Sequence, residues 1–275
     1  ANYILTMMTE HGTPFGEVLK DAQEKGFAEA DPTYDVEGID TAHKLAILMS
    51  IAYGQHVHLD DIYVEGISSI KPIDIDFAKE FGYRIKLLAI SRNNGDHMEA
   101  RVHPTMVPEK SMLANINGSF NAIQITGDTV GDTLFYGHGA GMMPTGSAVA
   151  ADVVDISRNI ISSSISRVPP LSYLPQHFTA PSITPLGELT CPYYFRVSVL
   201  DEPGVLSAIS GILGKHGISI RSVIQKGEKP GKPVHVVLRA HMALESSVQN
   251  AVEEINGLDF CTEPTVTIRV QIDED

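Results

Sequence analysis

The chain has 275 residues, enough for one large or two ordinary domains, and 43% of them are hydrophobic, which suffices for a packed core. The net charge is −14, and most of the acidic excess lies in residues 1–165. An acidic chain lacks the basic footprint that nucleic acids and anionic membranes require, and it suits a small cationic or zwitterionic ligand better. No apolar run is long enough for a transmembrane helix. The two cysteines, Cys191 and Cys261, indicate a reducing, cytoplasmic setting, and they could pair only if their segments lie side by side.

The first part of the chain is predicted to be helical. Residues 1–30 show two short helical patterns, and the second is expected to end near Gly26. A loop with Pro32 follows, and "IDTAHKLAILMSIAYG" then predicts a helix of about fourteen residues that ends at Gly54. Because Leu45 to Ala52 are apolar on nearly every side, we expect this helix to be buried.

The next part of the chain is predicted to be a set of antiparallel strands. His56 and His58 alternate on a possible strand, and clearer alternation with turn residues between follows in "YRIKLLAISRN", "MEARVHPTMV", "NAIQITGDTVG" and "DTLFYGHGAG". The helix predicted in "MMPTGSAVAADVVDISRNI" is rich in small residues, so we expect another element to pack closely against it.

Residues 166–192 hold six prolines without a clear period and predict an extended linker. After it, strand, helix, strand, strand, helix and strand patterns follow in order. This βαββαβ order predicts two helices on one face of an antiparallel sheet. The fold class is therefore α+β, with a mixed or antiparallel-sheet domain at 1–165, a linker at 166–192 and a ferredoxin-like domain at 193–275.

Five acids precede one lysine at the start of the apolar helix: Glu29, Asp31, Asp35, Glu37, Asp40 and then Lys44. Asp40 and Lys44 are four residues apart and share one face of the helix. On spacing alone the pair is more simply a surface salt bridge beside acids that favour the helix N-terminus. If the helix is buried, however, Lys44 is partly desolvated and suited to proton transfer, although the carboxylates favour its ammonium form.

Two glycine-containing turns are weaker candidates. "FYGHGAGMMPTG" could bring backbone close to a phosphate or nicotinamide, but its third glycine is misplaced for a dinucleotide fingerprint and no βαβ unit surrounds it. "LDEPGVLSAI" opens a helix directly after a strand, which fits either a carboxylate site or an ordinary turn. The histidines and cysteines lack metal-ligand spacing, so no metal site is expected.

Taken in order, four stretches resemble bacterial-type homoserine dehydrogenase with a C-terminal ACT domain. They are "NYIL" at 2–5, "FAEADPTYDVEGIDTAHKLAIL" at 27–48, "GHGAGMMPTGSAVAADVVD" at 137–155 and "VLDEPGVLSAISGILGKHGISI" at 199–220. The acid-cluster motif is specific to the family, whereas the last stretch is specific only to a class of domain. Phe27 stands where the family often has Tyr, so any hydroxyl contact there is lost.

The resemblance implies a reversible reduction of aspartate 4-semialdehyde to homoserine with NADPH or NADH, in threonine, methionine and isoleucine biosynthesis. It implies Lys44 as the catalytic lysine with Asp40 beside it, and Glu29, Asp35 and Asp40 as substrate ligands. The implied cofactor contacts are Gly139, Ala140 and Gly141, and the implied contacts of an amino-acid effector, with threonine expected, are Asp201, Gly204, Val205, Leu206, Ile218 and Ser219.

The family's N-terminal Rossmann cofactor domain has no counterpart among these stretches. The chain is therefore expected to be a fragment that is inactive alone, and the helix at 145–158 is expected to dock on the absent domain. Two other functions stay open: an effector-binding ACT module, and a scaffold whose mixed sheet pairs subunits into a homodimer or larger homo-oligomer.

Overall fold

A computed structural model describes residues 1–139, 141–164, 168–169, 171–226 and 233–272. Within these residues the helices are α1 (Asn2–His11), α2 (Phe15–Glu24), α3 (Thr33–Val36), α4 (Ile39–Tyr53), α5 (Pro72–Glu80), α6 (Met142–Ile161), α7 (Val205–Lys215) and α8 (Glu245–Asn256). The strands are β1 (Tyr63–Val64), β2 (Tyr83–Asn93), β3 (Met98–Pro108), β4 (Phe120–Gly127), β5 (Gly131–His138), β6 (Thr190–Leu200), β7 (Ile220–Gln225), β8 (Pro233–Leu244) and β9 (Cys261–Val270). The predicted α+β class is confirmed.

The chain divides into two compact units that alternate along the sequence. Unit 1 comprises Ala1–Pro72, Lys86–His103 and Glu109–Ile183, and unit 2 comprises Ile73–Ile85, Pro104–Pro108 and Thr184–Asp275. Strands β2 and β3 each contribute residues to both units.

Unit 1 is built on helix α4. Its buried side chains Ala42, Leu45 and Met49 pack against apolar residues that follow the helix and against Met98, Ala100 and Val102 of β3. In this unit β1 pairs in parallel with β3, with Tyr63 opposite Arg101. Strands β4 and β5 form a separate antiparallel hairpin. Helix α4 ends at Gly54, which is left-handed (φ 65°), as the sequence predicts.

The expected burial of the whole α4 helix is wrong. Leu45 and Met49 are buried, but Ile47, Leu48 and Ile51 are exposed, with Ile47 at 56%. Periodicity could not reveal this, because a helix that is apolar on every side carries no information about which face its own chain covers. The exposed face is a candidate contact surface.

The Pro-rich segment is not an extended linker along its described length. It contains short 3-10 turns at Pro175–His177 and Leu186–Glu188, and β6 already begins at Thr190. The segment is held on unit 1 by backbone pairing of residues 55 and 98 with residues 179 and 183, by Tyr173 Oη donating to the Ala52 carbonyl (3.2 Å), and by the His56–Phe178 ring contact. The possible strand through His56 and His58 is absent from the structure: only residue 55 forms an isolated bridge there.

Unit 2 contains the predicted βαββαβ fold. Its strands lie in the order β9, β6, β8, β7, with antiparallel pairing throughout. Beyond β9, Thr105 and Met106 of β3 pair in parallel with Arg269 and Val270 and so extend the sheet. Helices α7 and α8 pack on the face that carries Tyr193, Phe195, Val197 and Val199 of β6.

The opposite face of this sheet is polar and yet buried. Arg196 and Asp74, both 0% exposed, form a two-point ion pair: Arg196 Nε donates to Asp74 Oδ1 (2.7 Å) and Nη2 to Oδ2 (3.2 Å). Tyr194 Oη also donates to Asp74 (3.0 Å), and burial raises the pKa of this phenol. Asp74 belongs to α5, a helix that the sequence analysis missed because its pattern is short and half charged.

The cysteine prediction is settled by the same sheet. β6 and β9 are neighbours, but Cys261 pairs with Val199 at one end of β6 and Cys191 lies at the other end. Eight residues of strand separate the two positions, roughly 27 Å. Both cysteines are free thiols.

The buried ion pair predicts a large effect of Asp74→Ala. The substitution removes both hydrogen bonds that the buried Arg196 guanidinium donates to Asp74 and leaves it the more distant Glu263 carboxylate (3.8 Å), which costs about 3–5 kcal/mol. The free energy of unfolding of the chain, from urea titration, measures it. The control is Asp76→Ala at an exposed position of α5, expected to change that free energy by less than about 0.5 kcal/mol. Equal effects of the two variants would contradict the assignment.

A second prediction concerns acid stability. Burial disfavours the Glu245 carboxylate, but Arg269, which donates to both of its oxygens, outweighs burial, so the pKa of Glu245 is lowered below 4.5. Its stabilising contribution is thus complete above pH 4.5 and is lost as the pH falls through the lowered folded-state pKa.

Glu245→Gln should therefore reduce the free energy of unfolding by about 2 kcal/mol at pH 7, and the deficit should shrink as the pH is lowered from 4.5 to 3. Urea titrations across this range measure it. Glu253→Gln, at an exposed position of the same helix, is the matched control and should follow the unmodified chain at every pH. A deficit independent of pH would refute the charge-based explanation.

Candidate functional site

The acid-rich loop before α4 is shaped by its own polar groups. Asp31 Oδ1 accepts hydrogen bonds from the backbone N–H (3.1 Å) and hydroxyl (2.6 Å) of Thr33, and these bonds lower the pKa of Asp31. Asp31 thereby opens helix α3, which carries Asp35 in its first turn. Asp31, to which the resemblance assigns no role, thus has a structural function.

Asp40 and Lys44 form the expected ion pair on the first turns of α4. The acid lies where the helix dipole favours negative charge, and the lysine follows one turn later. The expected desolvation of Lys44 is wrong for this chain, since 64% of its side chain and 43% of that of Asp40 are exposed. The exposure follows from the open face of α4.

Three of the predicted site residues come together around the start of α1. Asp35 of α3 and the Asp40–Lys44 pair of α4 all lie within electrostatic range of Ala1, the residue that precedes α1. Residues from α1, α3 and α4 therefore converge at one place. The group combines two carboxylates with a cation, a pattern that can bind an ammonium and assist a proton transfer.

Glu29 has no hydrogen bond or ion pair to this group among the described residues. Among the described residues its exposed carboxylate has neither a hydrogen bond nor an ion pair, but its backbone is held: Gln23 Nε2 donates to the carbonyls of Glu29 (3.0 Å) and Ala30 (3.1 Å). Gln23 was missed by the sequence analysis, because an amide on a helix surface carries no signal of what it will contact.

Glu37, the other acid without a predicted role, lies against Gly66. A Cβ atom at Gly66 would come within 2.3 Å of Glu37 Oε2 and 2.7 Å of the Val36 carbonyl oxygen. Only glycine permits this close approach between the end of α3 and the segment that connects β1 with α5.

The second candidate feature is the glycine turn after β5, which consists of Gly139 and Gly141. Gly141 precedes α6 with a φ of 123°, and a Cβ atom at Gly139 would lie 1.9 Å from Asn121 Nδ2. The predicted contact Ala140 lies outside the described residues. Helix α6 buries none of its side chains within the chain, so the neighbour expected from its small residues is not supplied by the described residues.

The predicted effector residues fall into two groups at opposite ends of the sheet. Gly204 is left-handed (φ 94°) and begins α7 at the end of β6, close to Asp201. Ile218 is buried, and it lies with Ser219 directly before β7. The first residue of β7, Ile220, pairs with Ala240 of β8, and Ala240 pairs with Tyr193 near the start of β6. Seven residues of strand, roughly 24 Å, separate the two ends, so these residues do not form one pocket within a single chain.

Gln225 joins the first of these groups without having been predicted. Its Nε2 approaches Asp201 Oδ1 at 3.5 Å from the end of β7. Nothing in its local sequence marks it, since the contact depends on the order of strands in the sheet.

The described residues contain no group of three His, Cys, Asp or Glu side chains that could hold a metal ion. None of the helices in the same residues is long and apolar enough to cross a membrane.

Comparison with known families gives two matches. The homoserine dehydrogenase family model matches residues 1–154, and the ACT domain model matches residues 193–260. The first match covers more than half of the chain and includes the acid loop, α4 and the glycine turn.

Curated relatives and solved structures agree with these matches. The chain is 43% identical to homoserine dehydrogenase of Neisseria gonorrhoeae and 44% identical to that of Pseudomonas aeruginosa, over 98% of this chain and 62% of each relative. It resembles the crystal structure of a homoserine dehydrogenase from Thiobacillus denitrificans with a TM-score of 0.89, at 43% identity over 98% of this chain and 61% of that one. The chain thus spans about three fifths of the length of the relatives it matches. With its acid loop, its α4 ion pair and its C-terminal ACT domain, it belongs to the homoserine dehydrogenase family.

Proposed function

We propose that the protein to which this chain belongs reduces aspartate 4-semialdehyde to homoserine with NADH or NADPH, in the cytoplasm and as a step toward threonine, methionine and isoleucine. The family match supports the reaction, and the Asp40–Lys44 ion pair on α4, with Asp35 on the preceding helix α3, is the structural observation that supports the site.

In the proposed reaction the nicotinamide, when bound, supplies a hydride to the aldehyde carbon. The Lys44 ammonium donates a hydrogen bond to the aldehyde oxygen and gives up a proton as that oxygen becomes a hydroxyl. Asp40 holds Lys44 by the i,i+4 ion pair. Glu29 and Asp35 bind the ammonium of aspartate 4-semialdehyde and, in the reverse reaction, the ammonium and hydroxyl end of homoserine. Backbone at the glycine turn (Gly139, Gly141) would hold the cofactor. The contact expected at Ala140 is part of the same proposal.

The residue types of the glycine turn fit a cofactor contact. The close approach of Asn121 to Gly139 leaves no room for a side chain, and Gly141 presents the first turn of α6, whose free N–H groups favour a phosphate or a carboxamide oxygen. These two glycines could therefore form contacts at the edge of a bound cofactor, but they do not amount to a complete cofactor-binding domain.

Residues 1–275 are proposed to be inactive alone. Lys44 is 64% exposed, and a solvated ammonium gains little electrostatic advantage over water. The faces of α4 and α6 that are apolar and exposed are surfaces that a cofactor-binding domain could cover. Assignment of residues 1–165 to substrate chemistry and 193–275 to regulation is part of the same proposal.

The ACT domain match supports a second function, the binding of an amino-acid effector, which we propose to be threonine. Because the two groups of effector residues are about 24 Å apart in one chain, the site would combine Asp201, Gly204, Val205 and Leu206 of one subunit with Ile218 and Ser219 of another. The proposal therefore requires a homodimer or a larger homo-oligomer. The exposed apolar side chains of the β4–β5 hairpin, among them Phe135 and Ile125, offer a surface for such pairing.

The catalytic role of Lys44 predicts that Lys44→Ala in the full-length protein lowers kcat by about 10²–10⁴-fold while nucleotide binding is unchanged. Initial rates with aspartate semialdehyde and fluorescence titration with NADPH measure the two quantities. Lys25→Ala is a matched control, since Lys25, which directly follows α2, forms an i,i+4 ion pair of the same kind with Asp21. Similar turnover in the two variants would reject the assignment.

The regulatory proposal predicts heat of binding when threonine is titrated into the chain at a concentration where sedimentation shows an oligomer. Asp201→Ala should abolish the heat, whereas Glu202→Ala, at the exposed neighbouring position, should retain it. Binding to a chain that sediments as a monomer would argue against the two-subunit site.

A further inference from the structure

Asn2, the first residue of α1, is bonded to the loop that precedes β4. Its Nδ2 donates to the carbonyl oxygens of Phe120 (2.8 Å), Ile116 (3.1 Å) and Gly118 (3.3 Å). Its Oδ1 accepts from Lys86 Nζ (3.2 Å). The two N–H groups of one amide are thus shared among the carbonyls of every second residue from 116 to 120. This segment is more than a hundred residues away in sequence.

Lys86 completes this joint from β2. Its side chain is buried, and its ammonium donates to the Ile116 carbonyl, to Asn117 Oδ1 (3.1 Å) and to Asn2 Oδ1. An ammonium has three N–H donors, and a buried one is costly unless they are used. Thr6 adds two further bonds, donating to the Asn2 carbonyl (2.8 Å) and accepting from the Gly118 N–H (3.1 Å). These bonds make the joint rigid.

One side of the joint leads to the glycine turn. The Phe120 ring stacks on His138 and Tyr136 of β5, with centroid distances of 4.1 and 4.7 Å. The next side chain, Asn121, occupies the space against Gly139. A shift of the 116–121 segment must therefore move the end of β5 and the glycine turn with it.

The other side of the joint leads to the acid group. The Tyr3 ring, next to Asn2, packs on Phe27 at the start of the acid loop (centroid distance 5.0 Å), and Ala1 lies within electrostatic range of Asp35, Asp40 and Lys44. The first turn of α1 consequently connects the two parts of the proposed site, and both ends of this connection lie in unit 1.

We propose that Asn2 and Lys86 are positioning residues that set the separation between the acid group and the glycine turn, and hence between the aldehyde and the nicotinamide. The inference rests on the proposed function. Hydride transfer needs reacting atoms about 3–3.5 Å apart, and a 1 Å misplacement costs about 10²-fold in rate. Neither residue contacts the reacting atoms, so the effect should fall on the chemical step and not on binding.

The test uses the full-length enzyme with Asn2→Ala and Lys86→Met. We expect kcat to fall by about 30–100-fold, with KM for the aldehyde and Kd for the nucleotide within about threefold. The primary deuterium isotope effect on kcat, measured with 4-deuterated NADPH, should rise because hydride transfer becomes rate-limiting. Lys86→Arg, which keeps the charge and several donors, should recover part of kcat.

Lys20→Met, at an exposed position of α2, is the control and should behave as the unmodified enzyme. Because Lys86→Met could unfold unit 1, Asn117→Ala is included: it removes one acceptor of Lys86 and leaves the others. An unchanged kcat and isotope effect in folded Asn117→Ala and Asn2→Ala would overturn the inference. Failure of the proposed function would look different, since the unmodified full-length protein would then not oxidise NADPH or NADH with aspartate semialdehyde.

Discussion

The buried pair between Asp74 and Arg196 is the constraint on which unit 2 depends. Arg196 projects from the face of the sheet that α7 and α8 do not cover, and an arginine there would ordinarily face water. Burying it is tolerable because the Asp74 carboxylate accepts two of its N–H groups and Glu263 adds a longer ion pair (3.8 Å), so α5 must lie on that face. Around the pair, Arg239 Nη2 donates to Tyr83 Oη (2.7 Å) and lies over its ring, which ties the start of β2 to the same surface. The ACT-type sheet is thus covered on both faces.

This arrangement explains why chain order was a poor guide to the compact units. A domain boundary at residue 193 follows naturally from the proline-rich segment and the restart of a strand pattern. The structure nevertheless groups residues 73–85 and 104–108 with the C-terminal fold, because one provides the cover for Arg196 and the other an additional strand beside β9. Within "IKPIDIDFAKEFG" it is the Asp74 carboxylate that joins residues 73–85 to the C-terminal sheet, and its partner Arg196 is 122 residues away. Long-range pairing of charges leaves no local pattern to read.

What could be predicted followed from local rules. The strands at Tyr83–Asn93 and Met98–Pro108 and the βαββαβ order follow from alternation and turn residues, and the end of α4 follows from Gly54. The errors arose where burial depends on distant partners. Ile47, Leu48 and Ile51 are as apolar as Leu45 and Met49, yet only the latter pair meets β3. Likewise, the proline-rich segment has no period, but Tyr173 and Phe178 anchor it on unit 1.

The acid cluster shows why spacing alone does not identify a site. Asp21–Lys25 and Asp40–Lys44 have the same i,i+4 geometry, and both pairs are exposed. They differ in their surroundings. Lys25 also bonds to Tyr3 Oη (2.7 Å) and so is committed to joining α1 and α2. Lys44 instead lies near a second carboxylate, Asp35, at the start of a helix whose outer face is apolar and uncovered. Proton transfer benefits from a cation with no other structural duty and from a surface that can exclude water once covered. Of the two pairs, only Asp40–Lys44 combines both conditions, so the neighbouring residues and not the spacing support its proposed catalytic role.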